Sequence, residues 1–155
     1  MRVTKQEVEE IMLLPKRVTQ YIGWKADTNK ESIYEFSIPI ECDIPGRLYL
    51  KGNINRKLIR FSFVILYNNY RIKALDIGKT HKNCCPKHGG FSRIGTKHKH
   101  SWQDCCKDGW AYEPDDITTG APIEQVFEEF LKECNIKYNY KLPSLPSEQL
   151  RLWII

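Results

Sequence analysis

The stretch LIRFSFVILYNNYRIKALDIG, residues 58–78, decides the fold of this chain. Two runs rich in β-branched and aromatic residues flank Asn68-Asn69, and asparagine tolerates the positive φ angles that a two-residue hairpin turn requires. In such a hairpin the facing pairs are Tyr67 with Tyr70, Ile65 with Ile72, Phe63 with Ala74 and Phe61 with Asp76. The pattern therefore predicts a β-hairpin at the centre of an antiparallel sheet.

The predicted register places Asp76 on the apolar face, at the end of the hairpin. A carboxylate at a frayed strand end can reach water, and such a position needs no function. A carboxylate that stays buried is costly unless it is paired. Asp76 is therefore also a candidate functional residue.

Periodic patterns on both sides of the hairpin define the other elements. Thr4 and Glu7 form a capping box that begins an N-terminal helix, and Pro15 ends it. Residues 32–42 alternate between apolar and polar side chains, and residues 47–51 form a short run before an expected turn at residues 52–55. Together with residues 97–100, these runs predict a sheet of about five strands.

Residues 122–134 predict an amphipathic C-terminal helix. Its apolar stripe consists of Ile123, Val126, Phe127, Phe130, Leu131 and Cys134. We expect this stripe to cover the sheet face that carries Phe61, Phe63 and Ile65. The predicted fold class is α+β: an antiparallel sheet with the N-terminal helix and the C-terminal helix packed on one face.

Length and charge limit the classes of protein to which this chain can belong. A chain of 155 residues fits a single domain, residues 1–155, with a His/Cys-rich loop insertion at residues 79–110 and a tail at residues 137–155. The net charge of +5 allows contact with a nucleic acid or an acidic protein without requiring it. The sequence lacks both a signal peptide and an apolar run of roughly 20 residues, so we expect a cytoplasmic protein without membrane contact.

The histidines and most of the cysteines are clustered in one part of the sequence. Candidate metal ligands are His81, Cys84, Cys85, His88, Cys105 and Cys106. Thiolate and imidazole at short spacing are typical zinc ligands, which favours a structural zinc ion holding the loop. Reduced thiols without metal and disulfide bonds remain alternatives, although bonds within the adjacent cysteine pairs would constrain little.

A catalytic group is a separate hypothesis for the same region. In an extended segment, His98 and His100 lie on one face while Lys97 and Lys99 lie on the other. Histidine is the usual general acid or base at neutral pH, and with Asp76 at the end of the adjoining hairpin the two rings could form such a group. The alternative is that both rings are packed against nearby tryptophans or bind the metal.

Arg60, Arg71 and Lys73 are the candidate nucleic-acid-binding residues. The predicted register places them together on the second face of the hairpin, where they could contact phosphates. Solvated charge on a half-exposed sheet is the other interpretation.

Four short motifs carry a resemblance to a known family. These are RIKALD at residues 71–76, GKTH at 78–81, HKH at 98–100 and WAY at 110–112. With this order of elements, residues 33–134 resemble small uncharacterised bacterial and phage proteins, some of them related in layout to the TumE-type toxins of toxin–antitoxin systems. The cysteine-rich residues 83–95 and the pair Cys105-Cys106 depart from that pattern, which favours an added structural metal over a shared catalytic centre.

The resemblance implies a mobile-element or defence setting and action on RNA. One hypothesis is a toxin-like, RNA-directed protein, such as a ribonuclease, with an antitoxin as its protein partner. The other is a non-enzymatic binding module, such as a phage-encoded inhibitor of a host defence complex, in which metal only holds a loop. The sequence leaves open whether the protein is an enzyme.

Overall fold

The computed structural model describes residues 2–57, 60–85, 90–104, 106–114 and 121–145. In chain order the elements are α1 Lys5–Leu13, β1 Lys16–Val18, β2 Lys25–Asp27, β3 Lys30–Ile40, β4 Leu48–Asn55, β5 Arg60–Tyr67, β6 Tyr70–Ile77, β7 His81–Cys85, β8 Gly90–Ile94, β9 Lys97–Gln103, β10 Cys106–Tyr112, α2 Ile123–Glu133 and β11 Ile136–Tyr138. The fold is α+β, as the sequence predicts. Neither of the described helices has the length and the apolar composition that a membrane-spanning helix requires.

Among the described residues, the main sheet has seven antiparallel strands in the order β10-β9-β6-β5-β4-β3-β2. The five predicted strands correspond to β3, β4, β5, β6 and β9. The additional strands, β2 and β10, extend the sheet at its two edges, where the sequence has no clear alternation. Strands β7 and β8 form a separate hairpin, and β1 pairs in parallel with β11.

The central hairpin has the predicted turn but a different register. Asn68 and Asn69 have φ angles of 48° and 68°. Beyond the turn, Leu66 faces Arg71 and Ile65 faces Lys73, so Ile72 is an additional residue that forms a β-bulge. The predicted pairs Ile65–Ile72, Phe63–Ala74 and Phe61–Asp76 are therefore wrong.

The bulge has a clear energetic reason. Side chains alternate between the two faces of a strand, so one additional residue moves every later side chain to the opposite face. In the bulged register Leu75 faces Phe63 in the core, where both are fully buried. Asp76 faces Ser62 on the opposite face, and its predicted place on the apolar face is wrong.

Helix α2 covers the apolar face as predicted. The ring centroid of Phe127 lies 5.0 Å from that of Phe63, and the ring of Phe130 lies 6.1 Å from the same residue. Ile65 is fully buried beside them, and Phe61 packs against the edge of the core. These contacts hold α2 on the apolar face of the sheet.

Much of the predicted loop insertion, residues 79–110, is β-structure. Strand β9 pairs with β6, so that His98 faces Asp76 and His100 faces Ala74, and β10 pairs with β9. In the predicted tail, β11 and the buried Leu142 and Leu145 are part of the fold, while residues 146–155 lie outside the described part.

The β7–β8 hairpin is attached to the edge of the main sheet through Asn83. The side-chain amide of Asn83, in β7, donates to the carbonyl of Ala111 at 2.6 Å, and its oxygen accepts the Ala111 N–H at 2.9 Å. Ala111 lies in β10, the edge strand. Its N–H and carbonyl groups therefore form with this amide the hydrogen bonds that they would otherwise form with a further strand. The contact brings the start of β7 close to β9.

Candidate histidine site

Strand β9 determines which way its two histidines point. His98 and His100 lie on the face that Asp76 occupies, with only 1% and 3% of their surface exposed. Lys99 points to the opposite face and forms an ion pair with Glu133 in α2. The predicted alternation of β9 is confirmed.

The carboxylate of Asp76 is the centre of the site. Its Oδ2 atom lies 2.8 Å from Nε2 of His100, 3.2 Å from Nε2 of His98 and 3.0 Å from a guanidinium nitrogen of Arg71. Burial alone would raise the pKa of the Asp76 carboxyl, but hydrogen bonds from His100 and His98 and the charge of Arg71 hold it well below its usual range. Asp76 is therefore a buried, ionised group that orients three side chains.

His81 completes the cluster from a different element. It begins β7, and its ring centroid lies 4.7 Å from that of His100 and 5.7 Å from that of His98. Its side chain is partly exposed, whereas the other two rings are buried. Burial, together with the charges of His100 and His98, lowers the pKa of His81. One potential metal-binding atom from each histidine lies within 4.8 Å of the others.

A small cavity lies beside Asp76 on the same face of the sheet. It has a volume of about 200 Å³, and the exposed basic residues Arg60 and Lys79 contribute to its lining. Arg71, whose side chain is 31% exposed, lies on the other side of the carboxylate. Basic groups that can contact an anion therefore flank the histidine cluster.

Lys73 does not share a face with Arg60 and Arg71. Its ammonium group donates to the Tyr112 hydroxyl at 2.8 Å and lies 3.2 Å from Glu133, beneath α2. The predicted grouping of the three basic residues on one face is wrong because the bulge at Ile72 separates Arg71 from Lys73.

The predicted metal ligands fall into three groups. His81 lies in the cluster with His98 and His100, two residues that the sequence analysis assigns to catalysis. Cys84 and Cys85 belong to β7 and Cys106 to β10, but their side chains lie outside the described part of the structure. His88 and Cys105 lie outside it altogether, so binding of zinc by these cysteines stays a prediction.

The structure also shows partners that the sequence does not indicate. The Gly95 carbonyl lies 3.0 Å from Nδ1 of His98, and Arg71 binds a carboxylate instead of only facing solvent. No local pattern marks a backbone carbonyl as a histidine partner. Arg71 and Asp76 are five residues apart on one strand, and only the bulge places them on the same face.

Comparison with known proteins identifies one family. The model of DUF6978, a family of unknown function, matches residues 3–136, which include α1, the whole main sheet, the histidine site and α2. Searches among curated proteins and among solved structures found no match. These comparisons do not test the resemblance to TumE-type toxins, which stays a prediction. Because the match covers most of its 155 residues, the chain belongs to the DUF6978 family.

Proposed function

We propose that this protein is a toxin-like, RNA-directed ribonuclease whose reactive centre is the histidine cluster. The observation that carries the proposal is the arrangement at Asp76, where one carboxylate oxygen contacts two imidazoles and a guanidinium while the ring of His81 lies beside them. Cleavage of a phosphodiester needs proton transfer at two oxygens and a positive charge near the phosphate, and these side chains supply both.

The reaction that suits this site is an attack by the RNA's own 2′-hydroxyl on the adjacent phosphorus. The partly exposed His81 takes the hydroxyl proton as the new P–O bond forms, and His100 donates a proton to the 5′-oxygen as the old P–O bond breaks. Arg71 lies beside the phosphate and offsets its developing charge. His98 is a positioning residue, because its two ring nitrogens already contact Asp76 and the Gly95 carbonyl.

RNA is the polyanion that we expect at the cavity beside Asp76. Arg60 and Lys79 at this cavity can bind phosphates next to the one that reacts. A reducing cytoplasmic setting suits Cys42 and Cys134, which are both free thiols. An antitoxin that covers the histidine face would be the natural protein partner of such an enzyme.

Binding and cleavage should be separable by mutation. We expect His100→Ala to lower the rate of RNA cleavage by ~10²–10⁴-fold, since it removes a general acid, with RNA affinity almost unchanged. We expect Arg60→Ala to weaken RNA binding and to reduce its dependence on salt, since it removes a phosphate contact. Cleavage is measured on labelled single-stranded RNA in the presence of a chelator, and binding by fluorescence anisotropy at several salt concentrations.

Arg17→Ala is the matched control for Arg60→Ala. Arg17 carries the same charge and is exposed, but it pairs with Glu41 and does not line the cavity. His81→Ala supports the His100 result, because a partly exposed side chain can be removed with less risk to folding. If well-folded wild-type protein leaves RNA intact and is not toxic on expression, the proposal is wrong, and the non-enzymatic binding module takes its place.

A further inference from the structure

The hydrogen bonds of His98 pose a problem that a bound cation would solve. Nδ1 of His98 lies 3.0 Å from the Gly95 carbonyl oxygen, which can only accept, so Nδ1 must carry the proton. A neutral imidazole has one N–H, so Nε2 then carries a lone pair. Yet Nε2 lies 3.2 Å from the carboxylate of Asp76, which also only accepts, so this contact is a hydrogen bond only when the imidazole carries a second proton. Two acceptors at this distance repel one another unless a proton or a metal ion lies between them.

The carboxylate oxygen itself is crowded. Three nitrogen atoms, from His98, His100 and Arg71, approach the same Oδ2 atom within 3.2 Å. An oxygen with two lone pairs accommodates two good hydrogen bonds, and a third must be weaker. If a cation binds both Oδ2 and the imidazole nitrogens, the short distances from Oδ2 to His98 and His100 are distances between neighbouring ligands of one ion.

We infer that this site binds a divalent transition-metal ion of the zinc type through His81, His98 and His100, with an oxygen of Asp76 as the fourth ligand. Imidazole nitrogens and carboxylate oxygens both bind zinc, and three imidazoles with one carboxylate complete a four-coordinate tetrahedral site. The Gly95 carbonyl plays the part of the acceptor that commonly orients a metal-binding histidine through its second nitrogen. The ligands come from β6, β7 and β9, so the ion would also hold the start of β7 on the main sheet.

The spacing of the histidines suits an ion after a small movement. Zinc–ligand bonds of ~2.0–2.1 Å place tetrahedral ligands ~3.3 Å apart. The contacts of Asp76 with His98 and His100 are already of this size, at 3.2 and 2.8 Å, whereas the three histidines are within 4.8 Å of one another. His81 is the most exposed of the three, so we expect its side chain to move when an ion binds.

A bound ion has a consequence for the ribonuclease, and this consequence rests on the proposed function. Metal coordination uses the imidazole lone pairs that proton transfer requires. The ion should therefore inhibit RNA cleavage, and a chelator should restore it. Metal binding itself can be measured without RNA, so failure of one proposal can be distinguished from failure of the other.

The test is a titration of full-length, chelator-treated protein with Co²⁺, followed by visible absorption and calorimetry. We expect one ion per chain, a tetrahedral d–d spectrum and no thiolate-to-metal charge-transfer band, since the ligands are nitrogen and oxygen. Zn²⁺ should displace Co²⁺ and should suppress RNA cleavage. A charge-transfer band would show that cysteines bind the ion. The absence of binding would show that a proton, and not a metal ion, lies between His98 and Asp76. Either result would overturn the inference.

Variants locate the ion within the chain. His98→Ala and His81→Ala should each weaken binding by roughly 100-fold or more, since the loss of a ligand costs at least as much as the loss of a residue that orients one. His81→Ala keeps the test valid if the buried His98→Ala variant does not fold. The double variant Cys84→Ser/Cys85→Ser is the control and should bind normally. Normal binding by both histidine variants would contradict the assignment.

Discussion

At the scale of single residues, Cys134 shows how burial changes the chemistry of a side chain. The residue follows α2, has no exposed surface and belongs to the central core. Burial raises the pKa of its thiol from 9.0 to about 12. Because the folded state favours the protonated thiol, the stabilisation is complete below pH 9 and is lost as the pH rises from 9 towards 12.

Cys134→Ala should therefore flatten the alkaline part of the stability curve. Between pH 8 and pH 10 we expect wild-type protein to lose about 1.4 kcal/mol of unfolding free energy that the variant does not lose, since only the unfolded wild-type thiol ionises there. Urea unfolding at the two pH values measures this difference. The contributions of groups that titrate in both proteins cancel when the two changes in unfolding free energy are subtracted. Parallel pH dependence of the two proteins would show that the thiol has no such role.

Gly52 is required by the side chain of Phe36, which faces it on the neighbouring strand. The sequence predicts a turn at residues 52–55, but β4 continues to Asn55, so that prediction is wrong. A Cβ atom on Gly52 would lie 2.2 Å from the ring of Phe36 on the neighbouring strand. The glycine is needed for this close approach, and no turn forms there.

At the scale of elements, Asn83 connects β7 with β10. Asn83 is 1% exposed, and its amide pairs with both backbone groups of Ala111. It holds the hairpin that carries His81. The stability of this hairpin and the geometry of the histidine site are therefore coupled.

We expect Asn83→Ala to lower the unfolding free energy by about 2–4 kcal/mol, because it leaves two buried backbone groups without these hydrogen bonds. The amide proton of Ala111 should exchange faster with solvent in the variant. The control, Asn29→Ala in an exposed turn, should change stability by less than ~0.5 kcal/mol. Equal stability of both variants and unchanged exchange at Ala111 would contradict this role for Asn83.

At the scale of the whole molecule, Lys16 joins segments from the two ends of the described chain. Its buried ammonium group donates to the carbonyls of Met12, Leu14 and Cys134 at 3.1, 2.7 and 2.8 Å. These carbonyls belong to the C-terminal ends of α1 and α2, where backbone acceptors lack helical partners. One cation therefore caps two helices that lie more than 100 residues apart in the sequence.

Lys16→Met should destabilise the entire fold. The substitution keeps most of the apolar stem but leaves three carbonyls without their donor, and we expect a loss of about 2–4 kcal/mol. Urea unfolding followed by far-ultraviolet circular dichroism and by tryptophan fluorescence measures the loss and shows whether both signals change together. Lys132→Met, an exposed lysine in the last turn of α2, is the control. Similar stability of the two variants would show that Lys16 is not a shared cap.

Local sequence patterns determined several features of this protein. Three of them depend only on residues close in the sequence: the Asn68-Asn69 turn, the apolar stripe of α2 and the common face of His98 and His100. Backbone preference and side-chain periodicity act over a few residues, so a sequence is enough to predict them. For the same reason, the sequence predicts that His98 and His100 share one face of a strand but does not predict their partners.

The tertiary structure alone decided which residues meet at that site. The bulge at Ile72 lets Leu75 enter the core, and the same shift of one residue moves Asp76 onto the face that carries Arg71 and the histidines. His81 reaches the site because the amide of Asn83 attaches β7 to the edge of the sheet. These contacts follow from the free energy of the complete core and from hydrogen bonds between distant segments, and no local pattern contains that information.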